Sequence, residues 1–251
     1  MTMHRLVLLG FILSQFAAAE APLQAQAGKD ASTIPLHPAA NAREGKPVCA
    51  GDYTPEDSSW IGFIDFLPPL FRDRNALERY LRDPRFQALR RNCGDTLAVD
   101  MIFARAFEIA DGSMGHALLI ATLATFDHFR LGVIFPIIGV ISFPLTLESH
   151  KEFSERYAHL PRRILPDSLG RYRRDRDKLQ HFFGSAYLTY VFNSKSVANS
   201  FGDFVEWGEP RFIVGGDYDE RDKYANRLGQ EFGMRLLDGE EVLPSDILWR
   251  K

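Results

Sequence analysis

The most apolar stretch of the chain, Leu131 to Leu147, contains Pro136 and Pro144, and that combination limits the fold more than any other feature. A run of this length stands at the lower limit for a membrane-spanning helix, and proline inside a helix removes a hydrogen bond and forces a kink or a break. A second apolar run, Ala117 to Phe126, precedes it across the polar break Asp127-His128-Phe129-Arg130. The expectation is a pair of buried core helices. A span or re-entrant hairpin, and a surface that touches lipid, stand as the alternatives.

The first residues point to export. Met1 to Arg5 carries one firm positive charge, Leu6 to Phe16 is largely apolar, and Ala17-Ala18-Ala19 offers the small residues of a cleavage site. Residues 1–19 are therefore read as a secretory signal peptide cut after Ala19, too short in its apolar core to anchor the chain. Their removal takes away only Arg5, so the slight acidity of the chain (net charge −3) persists. A nucleic-acid binder is normally clearly basic, so nucleic acid is not an expected partner. No P-loop, dinucleotide fingerprint or Gly-x-Ser-x-Gly elbow is present, which leaves nucleotide binding and serine hydrolysis without support. The two cysteines, Cys49 and Cys93, fit one disulfide in an oxidising compartment. It would close a loop of roughly 45 residues and contribute about 3–4 kcal/mol in the chain-entropy model.

Residues 20–47 are rich in Ala, Pro, Gln and Gly with no apolar period, and read as a disordered or extended lead-in. A helical N-terminal region is expected over 48–160. It includes short helices over Asn75 to Leu81 and Arg85 to Arg91, the second opened by Asp83-Pro84. Ala98, Ile102, Ala106 and Ile109 recur at helical spacing, with a stop near Asp111-Gly112. Glu148 to Leu160 reads as a charged helix stopped by Pro161. Alternating strand patterns are few, so the fold class is mainly α: a compact helical domain followed by a C-terminal helical motif region over 161–251.

That last region holds the chemistry-bearing residues. Asp177 and His181 lie four apart, on one helix face. A carboxylate beside an imidazole can form a general-base pair or offer oxygen and nitrogen to a divalent metal. Glu206 and Glu209 follow, then Asp222 and Asn226, again four apart. Gly229 and Gly233 allow close helix packing, which would press their helix against the one bearing His181. Asp217-x-Asp219 is a poor calcium loop, because Arg221, Asp222 and Leu228 stand where ligands belong.

The ordered set Asp177-Lys178-x-x-His181-Phe182, Glu206, Gly216, Asp222, Ala225-Asn226 and Gly229 resembles the pattern of VanZ-like proteins and of small YfiM-like periplasmic lipoproteins. The segment Asp177-Lys178-Leu179-Gln180-His181-Phe182 is closest to the YfiM type. The likeness covers 177–233, under a quarter of the chain. It departs from the YfiM group in lacking a lipidated cysteine. It departs from the VanZ group in having at most one marginal span, and in reading Glu-x-x-Glu at 206–209. What the resemblance implies is an envelope location, here the periplasm, and no defined reaction.

Three functional readings follow. In the first, Asp177, His181, Glu206, Asp222 and Asn226 form a buried network that clamps helices in an envelope protein. In the second, Asp177, His181, Glu206 and Asp222 bind Zn²⁺, Mn²⁺ or Mg²⁺ in a hydrolase acting on an envelope lipid or wall precursor, with His181 and Glu209 as catalytic acid–base groups. In the third, 117–147 and the basic run at 171–176 meet a membrane surface or an envelope protein partner.

Overall fold

The computed structural model describes residues 67–135, 139–168, 175–195 and 219–249, which all belong to one compact unit. The signal segment, the lead-in, Cys49, Glu206 and Glu209 lie outside the described residues. Among the described residues the fold is mainly α, with eight helices and a single two-stranded sheet.

The first helices follow local rules. Helix α1 (Pro69–Arg82) ends at Asp83, whose side chain accepts a hydrogen bond from the Arg85 amide and caps α2 (Pro84–Cys93). Pro84 sits where a missing N–H costs nothing. Helix α3 (Asp95–Ile109) buries Ala98, Ile102 and Ala106 as their spacing predicts. Helix α4 (Met114–Ala124) is apolar nearly all round because it is central, packing against α1, α3 and the later helix Arg176–Phe192.

The apolar stretch after α4 is not a second buried helix. Arg130–Phe135 (β1) and Gly139–Pro144 (β2) form an antiparallel hairpin, in register from Arg130 opposite Pro144 to Phe135 opposite Gly139. The β-branched residues Val133, Ile134, Val140 and Ile141 favour extended backbone, and Gly139 takes a positive φ of 88° that a side chain would oppose. Pro144, which a helix would not accommodate, stands instead at the last pair of the ladder, where a missing hydrogen bond is tolerated. No helix among the described residues is long and apolar enough to cross a membrane.

Helix α5 (His150–His159) opens on a capping box between Ser149 and Glu152 and stops before Pro161. Its Arg156 is fully buried and reaches Glu148 (2.8 Å) and the carbonyls of Ala124 (2.7 Å) and Phe126 (3.0 Å), tying α5 to the end of α4. Glu148 also accepts from Arg82 of α1 (2.5 Å).

Helices α6 (Arg176–Phe192) and α7 (Glu220–Leu237) make the most extensive pairing. They run parallel: Lys178 meets Asp222, Ser185 meets Asn226, and Ala186 meets Gly233, advancing along both in the same sense. A Cβ on Gly229 would lie 2.1 Å from the Phe182 carbonyl oxygen, and one on Gly233 2.6 Å from that of Ala186. The expectation of close packing through these glycines holds. Phe103, Phe182 and Phe232 complete the core there, with ring centroids 5.1 and 5.3 Å apart. A short helix, α8 (Ser245–Leu248), is fixed to α3 by Asp100, which accepts from the Ser245 amide (2.8 Å).

Gly229→Ala should destabilise the fold by about 3 kcal/mol, since a methyl group against backbone cannot be relieved by a side-chain rotation. Urea denaturation measures it, and a cost under 0.5 kcal/mol would mean that the two helices are not held this close.

Candidate functional site

Two parallel helices begin side by side here, so two positive dipole ends converge. Acidic residues collect around them. Asp219 caps α7, accepting from the Arg221 amide at 2.9 Å, and Asp222 lies in the same first turn. Asp177 occupies the first turn of α6. Between these three carboxylates sits the ammonium of Lys178, 2.5 Å from Asp177, 2.6 Å from Asp219 and 2.7 Å from Asp222. Lys178 is 1% exposed; it donates hydrogen bonds to Asp177 and Asp219 and makes an ion pair with Asp222, whose Oδ1 accepts no hydrogen bond. His181 Nε2 lies 3.3 Å from Asp222. About one turn further along each helix, Ser185 donates to the Asn226 side chain (2.9 Å).

A second ionic knot lies alongside. Asp175, fully buried ahead of α6, accepts from the Ile164 and Leu165 amides (3.1 and 3.2 Å) and from the Ser168 hydroxyl. Arg221 of α7 reaches Asp175 (2.6 Å) and makes a two-pronged pair with Asp167 (both 2.9 Å). Neighbouring residues of α7, Arg221 and Asp222, thus fasten it to the loop before α6 and to α6 itself.

Of the residues expected from the sequence, Asp177, His181 and Asp222 do converge, while Glu206 and Glu209 lie outside the described residues. The central residue, Lys178, belongs to the quoted motif but has no role in the sequence reading, and Asp219 enters it only through a rejected calcium loop. The sequence pattern that carries them is an Asp-Lys pair opening one helix and Asp-x-x-Asp opening another. Three other histidines hold other places: His116 pairs with Asp73 (2.9 Å), His128 with Asp127 (2.6 Å), and buried His159 meets the Leu81 carbonyl (3.0 Å).

Charge balance follows from these contacts. Burial alone would pull the Lys178 ammonium down, but its contacts with Asp177, Asp219 and Asp222 raise it above its ordinary value of 10.5. Burial pushes Asp177 up, against the pull of Lys178 and with a further push from Asp222 and Asp127. For Asp219 burial opposes ionisation, and the bonds from Lys178 and the Arg221 amide outweigh it, so its carboxyl is held below the usual range.

The carboxylates of Asp177, Asp219 and Asp222 bring one oxygen each within 4.8 Å of one another, a spacing suited to a hard divalent ion. The ammonium stands where that ion would go. A divalent cation would need Lys178 displaced or deprotonated, and the raised affinity of Lys178 for its proton opposes that. As built, the donor set fits an internal cation and does not fit a metal.

No family model, curated protein or solved structure matches the chain.

Lys178→Gln should cost about 2–3 kcal/mol at pH 7, below the figure for a fully buried pair because Asp177 and Asp219 keep partial contact with water. A raised folded value means that the stabilisation is complete below pH 10.5, the ordinary value, and is lost as pH rises through the folded one. The difference between wild type and Lys178→Gln in denaturant unfolding should therefore be flat from pH 7 to 10 and shrink above 10.5. A difference that shrinks between pH 7 and 9 would show that the ammonium is not held this way.

Proposed function

We propose that the chain is an exported periplasmic protein of the cell envelope, and that its Asp177, Lys178, His181, Asp219 and Asp222 cluster is a structural clasp between two parallel helices. One observation carries the clasp: the ammonium of Lys178, a residue of the chain itself, stands at the point where the oxygens of Asp177, Asp219 and Asp222 come together. The Ser185–Asn226 bond and the glycine contacts extend the same seam. The secretory character of residues 1–19 and the resemblance of 177–233 to VanZ-like and YfiM-like sequences support the location. A Cys49–Cys93 disulfide belongs to the same reading, as the covalent form an oxidising compartment would favour.

The alternative is a metal-dependent hydrolase of an envelope lipid or wall precursor, drawing on the same three oxygens. It needs Lys178 to yield its place to Zn²⁺, Mn²⁺ or Mg²⁺ and Glu206 or Glu209 to join the site.

Both readings meet one experiment. The full chain, expressed in a bacterial host with a C-terminal tag, should be released by osmotic shock with Glu20 as its new N-terminus. The purified product should carry less than about 0.1 equivalent of metal, and neither a chelator nor added Mn²⁺ should move its melting temperature. Retention in the cytoplasm would remove the location. Stoichiometric metal that His181→Ala abolishes would replace the clasp with the hydrolase.

A further inference from the structure

A buried charge is costly unless it is paired. Four arginines are buried among the described residues. Arg74 meets Glu78 and Arg156 meets Glu148, both at 2.8 Å, and Arg90 stands 3.5 Å from Asp95. Arg176, the first residue of α6, is 3% exposed and meets no carboxylate among the described residues. Its guanidinium makes one long hydrogen bond, to the Ala158 carbonyl (3.4 Å), and lies 4.3 Å from the centre of the Tyr157 ring. Its Nε is buried and finds no acceptor. Asp175, which precedes it in the chain, is taken by Arg221.

Other arginines gather at the same place. Arg162 donates to the same Ala158 carbonyl (3.3 Å), and Arg90 donates to that of Leu160 (3.0 Å). Asp95 faces Arg90 and also accepts from the backbone amides of Arg162 (3.1 Å) and Arg163 (2.9 Å). Arg91 follows Arg90 in the last turn of α2. Burial lowers the Arg90 guanidinium below its ordinary value; Asp95 opposes this, while Arg162, Arg176 and Arg91 add to it by repulsion. Arg91 and Arg163 are exposed, and their side chains meet no carboxylate among the described residues. The group of cations therefore runs from the interior out to solvent.

The fold itself does not balance this charge. Helices α2 and α5 end here, each with about half a negative charge, but α3 and α6 begin here with the opposite sign. Asp95 supplies one negative charge, and Arg90 stands against it. Arg91, Arg163 and Arg176 are left without a counter-charge among the described residues. A guanidinium offers its donors in a flat fork that matches the oxygens of a phosphate. A carboxylate would bring one negative charge, whereas a terminal phosphoryl group brings about two, with three acceptor oxygens. The second suits a site where several guanidinium groups want both charge and acceptors.

We propose that Arg90, Arg91, Arg162, Arg163 and Arg176 form a binding site for a phosphoryl group at the end of α5. The ligand enters on the exposed side, at Arg91 and Arg163, and Arg176 stands at the inner end. The phosphoryl oxygens supply the counter-charge and the acceptors that Arg176 lacks. The site depends neither on the α6–α7 clasp nor on export of the chain.

Calorimetric titration of the purified protein with pyrophosphate, at fixed ionic strength, is the test. Wild type should bind about one equivalent with a Kd below about 1 mM, and acetate at the same ionic strength should give no saturable heat. The R91Q/R163Q double variant should keep its melting temperature, since both side chains are exposed, and bind pyrophosphate at least tenfold more weakly. Arg176→Gln should weaken binding by at least as much; the double variant decides alone should Arg176→Gln fail to fold. Flotation with vesicles of phosphatidylethanolamine and phosphatidylglycerol distinguishes the sources of the phosphoryl group. Flotation that pyrophosphate reverses assigns it to a lipid headgroup, and pyrophosphate binding without flotation assigns it to a soluble phosphoryl compound; either result supports the site. Wild type without saturable pyrophosphate binding overturns the proposal, as does binding that R91Q/R163Q leaves unchanged.

Discussion

The ammonium of Lys178, shared by Asp177, Asp219 and Asp222, is the contact on which the C-terminal half of the fold depends. Helices that run parallel bring like dipole ends together, and such an arrangement needs compensation at both ends. Aspartates at the N-terminal ends compensate the dipoles but repel one another. Lys178 resolves that repulsion from inside, and Arg221 does the same for Asp167 and Asp175. Once the ends are tied, Gly229 and Gly233 can rest directly on the backbone of α6, a contact that permits no sliding and no side-chain adjustment. Electrostatics sets the register, and close packing then rewards that register alone.

The other half uses a related device. Glu148, just past the hairpin, receives Arg82 from α1 and Arg156 from α5, and shares the Thr146 hydroxyl with Glu78. Burial, with Glu148 close by, raises the Glu78 carboxyl above its ordinary value despite the neighbouring Arg74. This network fixes the exit of the hairpin to the helical body. In both halves the polar groups are buried where elements must meet at one geometry, and α4 supplies the apolar mass between them.

How much of this is legible in the sequence depends on the range over which each feature is determined. Local chemistry is readable: Asp83-Pro84 opens α2, Pro161 follows the end of α5, and the 3.6-residue spacing of Ala98, Ile102 and Ala106 marks α3. The stretch 131–147 misleads because an apolar run gives strand and helix the same appearance; the β-branched residues and paired prolines in it carry the deciding information. At the site, the four-residue spacings of Asp177 with His181 and of Asp222 with Asn226 identify the faces that meet. The role of Lys178 is hidden because a lysine is ordinarily solvated. Its burial is created by carboxylates more than forty positions away in the chain.

A double-mutant cycle on Lys178 and Asp222 tests the account most directly, because it isolates their interaction from the packing that each substitution disturbs. Lys178→Met, Asp222→Asn and the double variant would be unfolded in urea at pH 7. The clasp predicts a coupling free energy of about 2 kcal/mol or more, the double variant being less destabilised than the sum of the singles. A coupling within about 0.3 kcal/mol of zero would contradict it, and would leave close packing at Gly229 and Gly233 as the whole reason that the two helices lie together.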